Sequence, residues 1–138
     1  MKALTERIEG LDALVGARLG GALVSLQPIP GEIQVVQVVI GGREELPIFI
    51  TASPDQILCI CYLWHDNEIH ADKRLELLEL MMDLSPAIPL SAFGRVERQY
   101  VLYGALAIDA GLDDIANDVA ALSDNAVDAL DALSGYLI

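Results

Sequence analysis

The segment from Trp64 to His70 holds the densest group of side chains able to do chemistry. It reads Trp-His-Asp-Asn-Glu-Ile-His, and imidazole and carboxylate are the usual nitrogen and oxygen ligands of zinc. One hypothesis is therefore a metal-binding protein or an enzyme that uses His65, Asp66, Glu68 and His70. The spacing opposes it, because two histidines on one helix face lie four residues apart, and these lie five apart. We favour a polar loop in which Asp66 or Asn67 begins a turn or caps the next helix.

Two cysteines lie just before this segment. Cys59 and Cys61 are one residue apart, so both point to the same side of an extended strand and could offer two thiolates to a soft metal. The chain has no further cysteine to complete a closed site. They are also too close to bridge each other easily. We predict two buried, reduced thiols, which fits a cytoplasmic protein.

The chain shows no recognised catalytic or cofactor motif. A Gly-x-Ser-x-Gly nucleophile turn and a Gly-x-x-x-x-Gly-Lys phosphate loop are both absent. The glycine pairs at 20–21 and 41–42 are typical of turns. We therefore expect no cofactor, no bound metal and no enzymatic activity.

Charge and hydropathy exclude several classes of protein. The 138 residues are 54% hydrophobic, and 21 acidic against 8 basic residues give a formal net charge of −13. Such a chain is too apolar for an acidic disordered tail and too acidic to bind nucleic acid. Its longest strictly apolar run, Ile57–Trp64, is too short to span a membrane, and the N-terminus lacks the apolar core of a signal peptide. We expect a cytoplasmic protein without membrane insertion, and the high apolar content predicts a homodimer.

Turn residues and hydrophobic periodicity divide the chain into helices and strands. The pattern predicts a single α+β domain over residues 1–138, in the order α-β-β-β-β-α-β-β-α, with an antiparallel sheet of about six strands and helices packed on one face. The predicted helices cover Lys2–Leu19, His70–Asp83 and a final segment ending near Leu137, which Ser123–Asn125 could break into two. The predicted strands are Ala22–Gln27, Glu32–Ile40, Leu46–Thr51, Gln56–Trp64, Ser91–Val96 and Gln99–Ile108. Pro47 is compatible with an edge strand or with the start of a strand.

Two surfaces are candidates for partner binding. The strand Gln56–Trp64 is apolar on both faces, so the side carrying Tyr62 and Trp64 is predicted to be free for a partner. The final helix carries an acidic face away from its apolar stripe. The residues assigned to that face are Asp114, Asp118, Asp128 and Asp131. An acidic face can serve solubility alone or can dock a basic segment, and both interpretations remain open.

The C-terminal third carries the clearest resemblance to a known family. The strand end Tyr103-Gly-Ala-Leu106, the segment Leu112-Asp-Asp-Ile115 and the helix Leu122-Ser-Asp-Asn-Ala-Val-Asp-Ala-Leu130 resemble the YjfI family of small bacterial proteins, a domain of unknown function. The resemblance implies a cytoplasmic bacterial protein often encoded beside a phage-shock-protein-A-like membrane-stress protein, and hence an accessory to that system. The element order, small size and acidity are also similar to the type III secretion chaperone-like fold. That similarity implies an acidic dimer that binds a partner polypeptide.

Overall fold

A six-stranded antiparallel sheet organises the structure, a computed structural model that describes residues 3–138. The strands are β1 (Val24–Ile29), β2 (Val35–Ile40), β3 (Ile48–Ala52), β4 (Gln56–His65), β5 (Ala92–Val96) and β6 (Gln99–Ala107). The helices are α1 (Leu4–Arg7), α2 (Leu11–Arg18), α3 (Arg74–Leu84) and α4 (Leu112–Leu133). The α+β class and the predicted order of elements are confirmed.

The strand order β1-β2-β3-β4-β6-β5 leaves β1 and β5 at the edges. The first four strands form a meander, and β6 then pairs with β4, which places β5 outside it. Pro47 immediately precedes β3, where its missing N–H removes no ladder hydrogen bond from an interior strand. Pro28 lies within β1, an edge strand, where proline is tolerated inside a strand.

The main core lies between the sheet and helices α2 and α4. One face of β2, β3 and β4 supplies fully buried residues at alternate positions, as the period of two requires. A second, smaller cluster lies at the end of β4 beneath α3. It contains Trp64, Ile69, Leu77, Met81, Tyr100 and Leu133.

The predicted N-terminal helix is interrupted in the structure. Leu4, Ile8, Leu11 and Val15 are all buried along one line, as their spacing predicts, but the helix breaks between α1 and α2. Gly10 adopts a left-handed conformation with φ 90° there, which side chains other than glycine rarely adopt. Lys2, the first residue of the predicted helix, lies outside the described residues.

The last helix, α4, is continuous from Leu112 to Leu133, so Ser123–Asn125 does not break it. Ser123 is instead buried and accepts a hydrogen bond from Arg43. Within residues 3–138, no helix combines the length and the apolarity needed to cross a membrane.

Candidate partner-binding sites

The loop predicted to be polar forms a network centred on Asp66. The Asp66 carboxylate accepts hydrogen bonds from the Arg74 guanidinium and, at 2.8 Å, from the Tyr100 hydroxyl. Arg95 lies 3.6 Å from the same carboxylate and 5.6 Å from the centre of the Tyr100 ring. The hydrogen bond from Arg74, followed by that from Tyr100, holds the pKa of Asp66 below its ordinary value. Asp66 therefore joins the end of β4 to α3, β5 and β6.

The two histidines take no part in this network. His65 and His70 are exposed, and the Glu68 carboxylate accepts a hydrogen bond from the His65 backbone N–H at 2.8 Å. The turn begins at Asp66, one of the two residues predicted to begin it, and the Glu68 carboxylate closes it. Across residues 3–138, no three His, Cys, Asp or Glu side chains come together in a group able to hold a metal ion. The zinc hypothesis therefore lacks a third ligand.

A groove separates α3 from the edge strand β5. It has a volume of about 350 Å³ and lies between Leu78 and Met82 of α3 and Phe93 and Gly94 of β5. Met82 and Leu75, seven residues apart on one side of α3, are 76% and 71% exposed. Leu77 and Met81 are the residues of α3 that face the core. We call Leu75, Met82 and the groove beside them the α3–β5 patch.

The acidic residues of α4 divide into two groups. Asp114, Asp128 and Asp131 are exposed, as predicted. Asp118 is only 3% exposed, so its assignment to the solvated face is wrong. Two further acidic residues of α4 are paired, Asp113 with Arg18 at 3.3 Å and Asp124 with Arg43 at 2.9 Å.

Asp118 is packed against the backbone of β6. A Cβ atom added at Gly104 would lie 2.4 Å from Asp118 Oδ2, so glycine is what allows the carboxylate to fit there. Oδ2 is buried and has no hydrogen-bond partner among residues 3–138. Burial raises the pKa of Asp118 to about 6, and the nearby Cys59 thiol acts in the opposite direction. Burial, and then the Asp118 charge, raises the pKa of Cys59 well above its ordinary value, so this thiol is not poised for nucleophilic chemistry.

A cavity of about 460 Å³ opens where α4 begins beside the end of β6, and Asp118 lines it. Its apolar walls include Leu90, Leu106, Ala107 and Ala110. Its polar residues are Asp109, Asp114, Asn117 and Asp118. We call this space the α4 cavity. It combines an apolar wall with several carboxylates, and none of the residues within 3–138 that line it is basic.

The structure separates the two residues predicted to mark the free face of β4. Tyr62 is half-buried on the face away from the helices, where it meets Phe49 edge to face with ring centres 5.9 Å apart. Trp64 is only 3% exposed, because a bulge between Tyr62 and Trp64 shifts the register and turns Trp64 into the smaller core. The prediction that Trp64 lies on a free surface is therefore wrong.

The sequence contained one signal for the Asp118 site. Gly104 interrupts an otherwise apolar strand, and a glycine inside a strand often marks a close approach by another group. The α3–β5 patch gave no comparable signal, because an apolar helix residue looks the same whether it faces the core or a partner.

A family model described as "Uncharacterized protein conserved in bacteria (DUF2170)" matches residues 10–137. The chain belongs to this bacterial family. No curated protein sequence matches the chain significantly.

Among solved structures, the chain is similar to a chain in the crystal structure of the ExsC-ExsE complex. The TM-score is 0.63 with 17% sequence identity, and the match covers 96% of this chain and 97% of that one. At this identity the match establishes a shared fold over nearly the whole of both chains.

Proposed function

We propose that this protein is a non-enzymatic adaptor of the bacterial cytoplasm that acts as a homodimer and binds a basic segment of another polypeptide. The observation that carries the proposal is that charge is distributed unevenly along the chain: the segment with the exposed apolar patch is nearly neutral, whereas the segment with α4 is strongly acidic. Residues 70–98 hold five acidic and four basic side chains, a net charge of −1, whereas the rest of the chain carries the other −12. Residues 99–138 hold seven acidic and no basic side chains.

We assign the contact between the two copies of the dimer to the α3–β5 patch, which lies mostly within the nearly neutral segment. Two chains of net charge −13 repel each other over most of their surfaces, and this repulsion is smallest there. The patch also adjoins β5, an edge strand whose sequence, Ala-Phe-Gly-Arg-Val, contains no proline to block pairing. A symmetric contact that buries Leu75 and Met82 would cover both exposed side chains in each copy.

The polypeptide partner is assigned to the acidic side of α4, where Asp114, Asp128 and Asp131 are exposed. A basic segment complements this charge, and complementary charge raises the rate of association and favours the correct partner. The neighbouring fold comes from a structure of a protein–protein complex, which supports the same class of function. The YjfI resemblance makes a phage-shock-protein-A-like protein the first candidate to look for.

The dimer is tested by light scattering on the purified chain. We expect twice the monomer mass of 14.8 kDa, and a monomer after the double change Leu75→Glu with Met82→Glu. The matched control is Leu23→Glu with Ile33→Glu, which alters two exposed apolar residues outside the patch (86% and 66% exposed) and should leave the dimer intact. A wild-type monomer at micromolar concentration, or an equal effect of both double variants, would contradict the assignment.

Partner binding is tested by affinity capture of the tagged protein from its own cells, at low and at high salt. We expect one stoichiometric partner with a basic segment that is lost at high salt and lost when Asp114, Asp128 and Asp131 are changed to Asn. The control neutralises three exposed carboxylates outside α4, Glu32, Glu45 and Asp55, and should retain the partner. A partner that stays bound at high salt would instead indicate an apolar binding site, on the open face of the sheet around Tyr62. Recovery of this chain alone would refute the adaptor function.

A further inference from the structure

The α4 cavity contains an unusual electrostatic feature. Asp118 is almost completely buried, its Oδ2 atom has no hydrogen-bond partner, and within residues 3–138 no basic side chain forms an ion pair with it. An unpaired buried carboxylate is costly, because it loses its hydration without gaining a counter-charge. A cation that reached it would remove this cost.

The lining of the cavity selects the kind of cation. No group of three carboxylates is close enough to hold a metal ion among the residues described, whereas the walls include leucine and alanine side chains. A cationic group on an aliphatic stem matches both features, since the stem contacts the walls and the charge meets the carboxylate. Lysine and arginine side chains have this form.

Two basic residues, Arg7 and Arg18, lie at the rim of the cavity. Arg7 donates to the Ala110 carbonyl at 3.4 Å, and Arg18 donates to Asn117 at 2.6 Å and to Asp113 at 3.3 Å. Neither lies within ion-pair distance of Asp118. No basic side chain among the described residues therefore serves as the counter-charge of Asp118, whose carboxylate lies against Gly104 at the wall of the cavity.

We propose that the α4 cavity binds a lysine or arginine side chain of the partner polypeptide, with Asp118 as its counter-charge. This inference rests on the proposed function and names the anchor residue of its partner. The cavity volume, about 460 Å³, lies in the range of small-ligand sites. Asp109 and Asp114 at the cavity contribute further negative potential.

The test is an NMR titration of the ¹⁵N-labelled full-length protein with Nα-acetyl-lysine methylamide and with its arginine counterpart. The control probe is Nα-acetyl-norleucine methylamide, which has a similar aliphatic chain without the charge. We expect the cationic probes to shift the amides of Gly104, Gly111 and Asn117 in a saturable manner in the millimolar range. The norleucine probe should produce at least about tenfold weaker binding, because it lacks the charge-assisted contact.

Substitutions of single carboxylates test whether the charge of Asp118 is the one that binds the cationic probes. Asp118→Asn should weaken binding of the cationic probes by at least about tenfold, whereas Asp55→Asn, which neutralises an exposed carboxylate outside α4, should not. Equal binding of the lysine and norleucine probes to the wild-type chain, or shifts spread over the exposed carboxylates, would overturn the proposal without need of any variant.

The two proposals fail in different ways. Binding of the cationic probes with no partner captured from cells would refute the adaptor function and retain the site. Capture of a partner by wild-type and Asp118→Asn proteins alike, with no shift at the cavity, would refute the site and retain the adaptor function.

Discussion

Asp118→Asn should change how the stability of the protein depends on pH. In the native protein burial raises the pKa of Asp118 to about 6, against an ordinary value of 3.8. The native state therefore holds this proton more tightly than the unfolded state does. It follows that Asp118 favours folding at low pH and that this contribution is lost as the pH rises through about 6.

The size of the effect follows from the two pKa values. One pKa unit corresponds to about 1.4 kcal/mol, so the whole difference amounts to about 3 kcal/mol. About half of this loss of stability occurs between pH 5 and pH 8. The other half occurs below pH 5, where the carboxyl of the unfolded chain titrates while the native Asp118 stays protonated. We expect the free energy of unfolding of wild-type protein to fall by roughly 1–2 kcal/mol, relative to Asp118→Asn, over that range.

Urea unfolding at several pH values measures this difference. Trp64 is the single tryptophan and is buried, so its fluorescence reports the transition. Comparing wild type with Asp118→Asn cancels the other titrating groups, including Asp66, whose lowered pKa acts in the opposite direction. A difference between the two proteins that stays constant from pH 5 to pH 8, or that favours wild type as the pH rises, would refute the reasoning.

Two further substitutions test the packing around the candidate sites. Gly104→Ala should lower the free energy of unfolding by about 1–3 kcal/mol, because the new methyl group meets Asp118 Oδ2 at 2.4 Å, and urea unfolding should show a smaller loss in an Asp118→Ala background. Equal losses in both backgrounds would show that the strain lies elsewhere. Tyr100→Phe removes the 2.8 Å hydrogen bond to the partly exposed Asp66 and should cost about 1 kcal/mol in the same assay, whereas Tyr103→Phe on the same strand serves as its control. An equal cost of the two tyrosine changes would contradict a specific role for the Asp66 network.

Periodicity predicted the elements because most of them bury one face in a regular pattern. The alternation in β2 and the stripe of α4 show this directly. The failures have local causes. A left-handed glycine broke the first helix, and a one-residue bulge turned Trp64 inward. Helix α3 contacts the core along Leu77 and Met81, while Leu75 and Met82 stay exposed.

The candidate sites were harder to predict than the fold, because they depend on which residues meet across the chain. An aspartate on the polar side of a helix is normally solvated. Asp118 is buried only because α4 crosses β6 at a glycine, and the helix sequence alone does not contain that information. The His65–His70 segment shows the reverse case, since residues with suitable chemistry end up exposed and apart from any third ligand.

The pairing of β4 with β6 has a consequence for how such a protein can diversify. Because these two strands are neighbours in the sheet, residues 66–98 form one insertion between them, which adds the edge strand β5 to the sheet. That insertion contains α3 and β5, and therefore most of the α3–β5 patch, while Asp118 and most of the α4 cavity lie outside it. Substitutions confined to this segment, by evolution or by engineering, can therefore change the surface assigned to self-association. The residues assigned to recognition of another polypeptide would stay almost unchanged.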